Sequence, residues 1–110
     1  MTTDLNTALS GSKHDQNKVR MDLLSGAALE EIAKVLTFGA KKYEAHNWRK
    51  GMDWSRLYGA ALRHLHAHLD GQNLDPESGL SHLAHLGCCI MFLLEYEAKG
   101  LGNDDRYRKP

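Results

Sequence analysis

From residue 26 onward, apolar positions recur in steps of three and four, the period of helices that bury one face. Leu29, Ile32, Ala33, Leu36, Ala40 and Tyr43 form one stripe, with Glu30, Lys34, Thr37 and Lys41 opposite. Ser25 stands where an N-cap belongs, Glu30 and Glu31 suit the early turns, and this helix is expected to end between Tyr43 and Ala45. A second helix fits Asp53 to Leu69, with Asp53 as its cap and Gly71 as its stop. On it Tyr58, Leu62, Leu65 and Leu69 share one stripe, while Leu57, Ala61, His64 and His68 share the adjacent one. The latter two histidines are therefore expected to flank the core, and His66 to face solvent. Asp75-Pro76-Glu77 has the form of a helix start, with Pro at the first helical position, so a third helix is read from there to Lys99. Gly100 ends it. Its stretch from Leu80 to Leu94 is apolar nearly all round, interrupted by Ser81, His82 and His85, as in a helix at the centre of a bundle or against a second subunit.

These elements predict an all-α fold, a compact bundle of three main helices. A polar arm is expected over residues 1–22, a helical domain over 23–100 and a polar, fraying tail over 101–110. Three helices leave the third poorly covered, so completion by homo-oligomerisation is expected. No segment has the period of a strand, and no internal repeat occurs. Gly39 reads as a point of close helix approach.

A chain of 110 residues supports one domain with one core. Lys+Arg and Asp+Glu both total 14, which leaves no net field for general nucleic-acid binding. No apolar run is long enough to span a membrane, and the polar N-terminus lacks the apolar core of a signal peptide. Cys88 and Cys89 are adjacent in an apolar stretch and read as packed thiols of a cytoplasmic protein.

Histidine changes the picture. Five of the 7 histidines fall between His64 and His85. His64 and His68 are four residues apart, and His82 and His85 three apart, so each pair shares one helix face. Antiparallel neighbours would bring the pairs together, with Asp75 and Glu77 in the connecting loop. Such a mixed imidazole–carboxylate set suits Zn, Mn or Fe better than Mg. Direct contact with a ligand and buried hydrogen bonds at a helix contact are the other two readings. A second group is Lys41, Lys42, Tyr43, Asn47, Trp48, Arg49 and Lys50. Its lysines complement a helix dipole, and its alternative role is to stack Trp48 on a purine or ribose beside Lys42, Asn47 and Arg49. Arg63, on a mostly apolar helix, calls for an anionic partner, either a phosphate or one of Glu31 and Glu77. Lys18 and Arg20 in the arm read as a lid over an anion or as a solvated tail. No Walker loop and no GxSxG elbow occurs.

The strings Lys18-Val19-Arg20-Met21-Asp22-Leu23-Leu24, LTFGAKKY (36–43), NWRKG (47–51), Ala61-Leu62-Arg63-His64, LDPESGL (74–80) and His82-Leu83-Ala84-His85 resemble a small phage-encoded domain. It is the dATP/dGTP diphosphohydrolase N-terminal domain, and the resemblance covers roughly residues 13 to 96. It implies a phage or prophage origin, hence a host cytoplasm, and an association with nucleotides. In longer relatives this domain precedes a MazG-like pyrophosphohydrolase half that holds Mg²⁺ on carboxylates, a half expected to be missing here. In this chain the corresponding helices offer Arg63, His64 and His68, then His82 and His85. Two functions follow as expectations. One is a binder that sequesters a purine nucleotide, or a cyclic or ADP-ribose-type nucleotide signal of host defence, through Lys18, Arg20, Lys42, Asn47, Trp48, Arg63 and His64, with no cofactor required. The other is a diphosphohydrolase using Mn, Zn or Mg on His64, His68, Asp75, Glu77, His82 and His85, with Glu31 or Glu77 as base. A third reading makes the histidines packing groups of an accessory helical protein.

Overall fold

The computed structural model describes residues 17–108. Three α-helices carry the fold: α1 (Gly26–Lys42), α2 (Trp54–Leu69) and α3 (His82–Lys99). Short 3₁₀ turns occupy Met21–Leu23 and Asn47–Lys50. Among the described residues there is no strand, only two isolated bridges. The all-α expectation holds. The first sixteen residues of the expected arm, and residues 109–110, lie outside the described residues.

The helix ends follow local chemistry. Ser25 accepts a hydrogen bond from the Ala28 amide at 3.1 Å and opens α1. Gly71, at φ 98°, and Gly100, at φ 65°, take the left-handed conformation that stops α2 and α3. The start of α3 differs from the expectation. Asp75 Oδ1 accepts from the amides of Glu77 and Ser78 at 2.8 and 2.9 Å, a pattern that a helix cap and a turn share. Gly79, at φ 72°, closes that turn, its amide bonding the Asp75 carbonyl at 2.7 Å. The helix begins only after Ser81, whose hydroxyl accepts from the Leu83 amide.

Helix α3 is the shared element. Trp54, Leu57, Cys89 and Tyr96 form one buried cluster between α2 and α3, and Val35, Ala84 and Cys88 form another between α1 and α3. Phe92 packs against both. The close approach of α1 falls at Gly87, where a Cβ would stand 3.0 Å from Ile32 Cδ1. Gly39, given that role above, has no atom within 4 Å of where its Cβ would be. On α2 the inner stripe is Trp54, Leu57, Ala61 and His64 rather than the leucine stripe. Leu62 is 57% and Leu69 74% exposed, because α3 lies along the histidine-bearing face.

Residues 101–106, part of the segment expected to fray, are instead docked on the start of α2. The Trp54 indole N–H donates to the Leu101 carbonyl at 3.0 Å, and the Trp54 amide to the Asn103 carbonyl at 3.0 Å. Asp53 occupies the cap position but its carboxylate takes Asn103 Nδ2, and Asp105 caps the helix from afar by accepting from the Ser55 amide at 2.9 Å. Two glycines permit this contact. A Cβ on Gly51 would meet Gly102 N at 2.7 Å, and one on Gly102, at φ 72°, would meet the Met52 carbonyl at 2.5 Å. Gly102→Ala is therefore expected to destabilise the domain by about 2 kcal/mol, from strain and collision together. Gly71→Ala, with open space around it, should lose about half of that. Thermal unfolding of the two variants compares them directly.

Candidate functional site

Where α2 runs antiparallel to α3, His64 meets the first turn of α3. His64 Nδ1 lies 2.8 Å from His82 Nδ1, and the far nitrogen of His82, Nε2, lies 2.7 Å from Gln72 Oε1. An amide oxygen only accepts, so this network assigns the His82 proton to Nε2 and leaves its Nδ1 as a lone pair. The proton between the two Nδ1 atoms then belongs to His64. His85 stacks on His64 with ring centroids 4.5 Å apart and planes at 9°, and its Nε2 lies 2.7 Å from Ser78 Oγ. Asp75, fixed at Oδ1 by its turn, keeps Oδ2 4.0 Å from His64 Nδ1. The donor atoms of His64, Asp75 and His82 all lie within 4.8 Å of one another, a group among the described residues that could hold a metal ion.

Burial sets the charge here. Loss of solvent lowers the His64 pKa, reinforced by His85 and His82 and opposed by Asp75. His85 is lowered for the same first reason. Burial raises Asp75, but the Ser78 and Glu77 amides outweigh it and hold the carboxyl below the usual range. Neutral imidazoles thus face a carboxylate.

This network forms one end of a cleft of about 630 Å³. Val35, Phe38, Met91 and Phe92 give it apolar walls, and Lys42, His46, Asn47, Arg49, His64 and His85 give it polar ones. Cys88 and Cys89 also line it, and burial pushes the Cys88 thiol up to about 12, so it is an inert packing group.

Of the residues singled out from sequence, the fold brings Lys42, Asn47, Trp48, His64, Asp75, Glu77 and His85 to the cleft. His82 joins them through His64. His68, a turn further along α2, is outside the metal-capable group, and Glu77 is engaged by Lys42 at 2.5 Å. Glu31 pairs with Lys34 at 2.8 Å and does not line the cleft. Arg63 also lies off the cleft, exposed beside Gly59, with no ion pair among the described residues. Neither Glu31 nor Glu77 is its partner. Arg20 forks onto Asp22 at 2.8 and 2.7 Å, and Lys18, like Arg20, is exposed and not part of the cleft wall. Trp48 stacks on Phe92 at 4.3 Å and carries the Arg49 guanidinium 4.4 Å from its ring centre, so its ring already has two partners. Stacking on a base would compete with them. Gln72 and Ser78 were not anticipated, although the Asp-x-x-Ser spacing of 75–78 is itself a turn signal.

A three-helix domain with a polar network opening on a largely apolar cleft is the class defined so far. The chain belongs to the family described as dATP/dGTP diphosphohydrolase, N-terminal, which it matches over residues 9–106. It is 35% identical over 98 residues to a dATP/dGTP diphosphohydrolase of Salmonella phage PMBT28, a match covering 89% of this chain and 33% of that protein. The chain thus spans about a third of the length of that relative. No solved structure matches it. No helix among the described residues is long and apolar enough to cross a membrane.

The lowered histidines fix a pH dependence. Unfolded histidine titrates near about 6.5, so below that pH the unfolded chain binds more protons and the fold loses stability as pH falls. Asp75 acts in a separate window, contributing stability above the ordinary carboxylate range and losing it in stronger acid. The melting temperature should drop between pH 7.5 and 5.5, and His85→Gln should flatten that drop.

Proposed function

We propose that this domain binds a phosphorylated purine nucleotide in the cleft and holds it without cleaving it. The observation that carries this reading is the lining of the cleft. It has room for a ligand of nucleotide size, apolar walls for a base, and Lys42, Asn47, His64 and His85 for ribose and phosphates. Lys42 is half exposed in its ion pair with Glu77, and a phosphate can take it over at little cost. The nucleotide named in the family's description supports the ligand class.

Retention rather than hydrolysis is favoured by the carboxylates. Those at the cleft are Glu44, held by Lys50, Glu77, held by Lys42, and Asp75, held by backbone amides. They do not form the free carboxylate cluster that Mg²⁺-triphosphate chemistry uses. In a phage setting, retention would sequester a linear, cyclic or ADP-ribose-type nucleotide signal and so blunt a host defence. The relative's name favours hydrolysis as the second reading. The exposed stripe of Leu62, Leu65 and Leu69, with Ile90 and Leu94 on α3, supports assembly as a homo-oligomer.

Incubation with linear and cyclic purine nucleotides in EDTA should raise the melting temperature, by about 2.7 kcal/mol of added stability at a hundredfold excess over Kd. The heat-released ligand should come back intact on chromatography, and Lys42→Ala should weaken binding roughly tenfold. Metal-dependent release of a monophosphate would replace this reading with the hydrolase. Light scattering tests assembly: Leu65→Lys should lower the mass of the particle.

A further inference from the structure

We propose that His64, His82 and Asp75 form a site for one divalent ion of the Zn²⁺ class, which they bind whether or not a nucleotide is present. The donor set is two imidazoles and one carboxylate, a combination that selects Zn²⁺, Co²⁺ or Mn²⁺ over the all-oxygen preference of Mg²⁺. The separations fit. Tetrahedral ligands at about 2.0–2.2 Å from an ion stand about 3.3–3.5 Å apart, and here the two Nδ1 atoms are 2.8 Å apart and Asp75 Oδ2 is 4.0 Å from His64 Nδ1. The set as a whole lies within 4.8 Å, so the two imidazoles must part slightly and Asp75 must close in for an ion to be held by all three.

Each ligand is already aimed by a second contact. The His82 Nε2–H donates to Gln72 Oε1, which fixes the tautomer and directs the Nδ1 lone pair at His64. Asp75 is locked through Oδ1 by two amides, which leaves Oδ2 for an ion. The His64 ring is braced flat against His85, and Ser78 orients His85 in turn. His82 is 4% exposed, and the side chains of His64 and Asp75 are each 18% exposed, so water competes weakly. Because His64 and Asp75 line the cleft, the fourth coordination position opens into it, the arrangement of a site that exchanges ligands.

Binding requires a single proton shift. The proton on His64 Nδ1 moves to Nε2, the ring stays neutral, and the ion takes the place between the two Nδ1 atoms. The ion also offsets the Asp75 carboxylate, which otherwise faces two uncharged rings. His68, His85 and Glu77 supply no ligand atom to this set.

The test uses the metal alone. The full chain, dialysed against chelator, is titrated with ZnCl₂ by calorimetry and with CoCl₂ by visible absorption. One ion per chain is expected, with the strong visible bands of tetrahedral Co²⁺. His64→Ala and Asp75→Asn, which keeps the Oδ1 acceptor of the turn, should each weaken Zn²⁺ at least tenfold. Gln72→Ala should weaken it by roughly ten- to a hundredfold through the tautomer of His82, and His66→Ala on the exposed face should leave it unchanged. His82 is too buried for its loss to be read without ambiguity, so the other variants carry the decision. Absence of saturable Zn²⁺ binding by the wild-type chain overturns the proposal, as does a His64→Ala chain that binds as tightly as wild type.

Discussion

Burying an imidazole whose two nitrogens both need partners is the constraint on which this domain is organised. His82 is the first residue of α3 and is almost wholly out of solvent. Each nitrogen left unpaired would cost about 1–3 kcal/mol. One is met by Gln72, just past the end of α2, and the other by His64, about one and a half turns inside it. Those two bonds fix the rotation of α2, the path of the loop over 70–81 and the residue at which α3 begins. The Asp75 turn and the His85 stack then fall into place around them.

The cleft is a by-product of the same arrangement. Helices α1 and α2 both lean on α3, and Phe92 packs against both buried clusters. What lies between α1, the 46–50 turn and α3 is therefore open, walled by apolar side chains and edged by the histidines. Exposed ion pairs such as Lys42–Glu77 hold that edge weakly, and weakly held charges are readily traded for a ligand's.

Much of the helical layout was legible in the sequence, because Ser25, Gly71 and Gly100 act locally. The start of α3 was misread because Asp-Pro-Glu suits a helix and a turn equally. The positive φ of Gly79 and the Ser81 cap decide between them. Periodicity gave two stripes on α2, and hydrophobicity alone favoured the leucines. The winning face is set by Trp54, Leu57 and the histidine pairing, which are tertiary facts. The convergence of His64, Asp75 and His82 followed from their spacing. The exclusion of His68 did not, since only one turn of α2 is level with the first turn of α3. The docked segment was hidden because it is held by long-range bonds from Trp54, Ser55 and Asp53 to Leu101, Asn103 and Asp105 that need Gly51 and Gly102 to pass closely, and local polarity is no guide to such contacts.

That docking sets a direction. Leu101 to Asp105 are pinned to Met52, Trp54 and Ser55, at the end of the α2–α3 hairpin opposite the histidines. Trp54, which carries that docking, and His64, which carries the network, lie on the same helix, about 15 Å apart along it. The cleft wall spans both, from His64 and His85 to Met52, so the docked tail braces one rim of the cleft while the histidines edge the other.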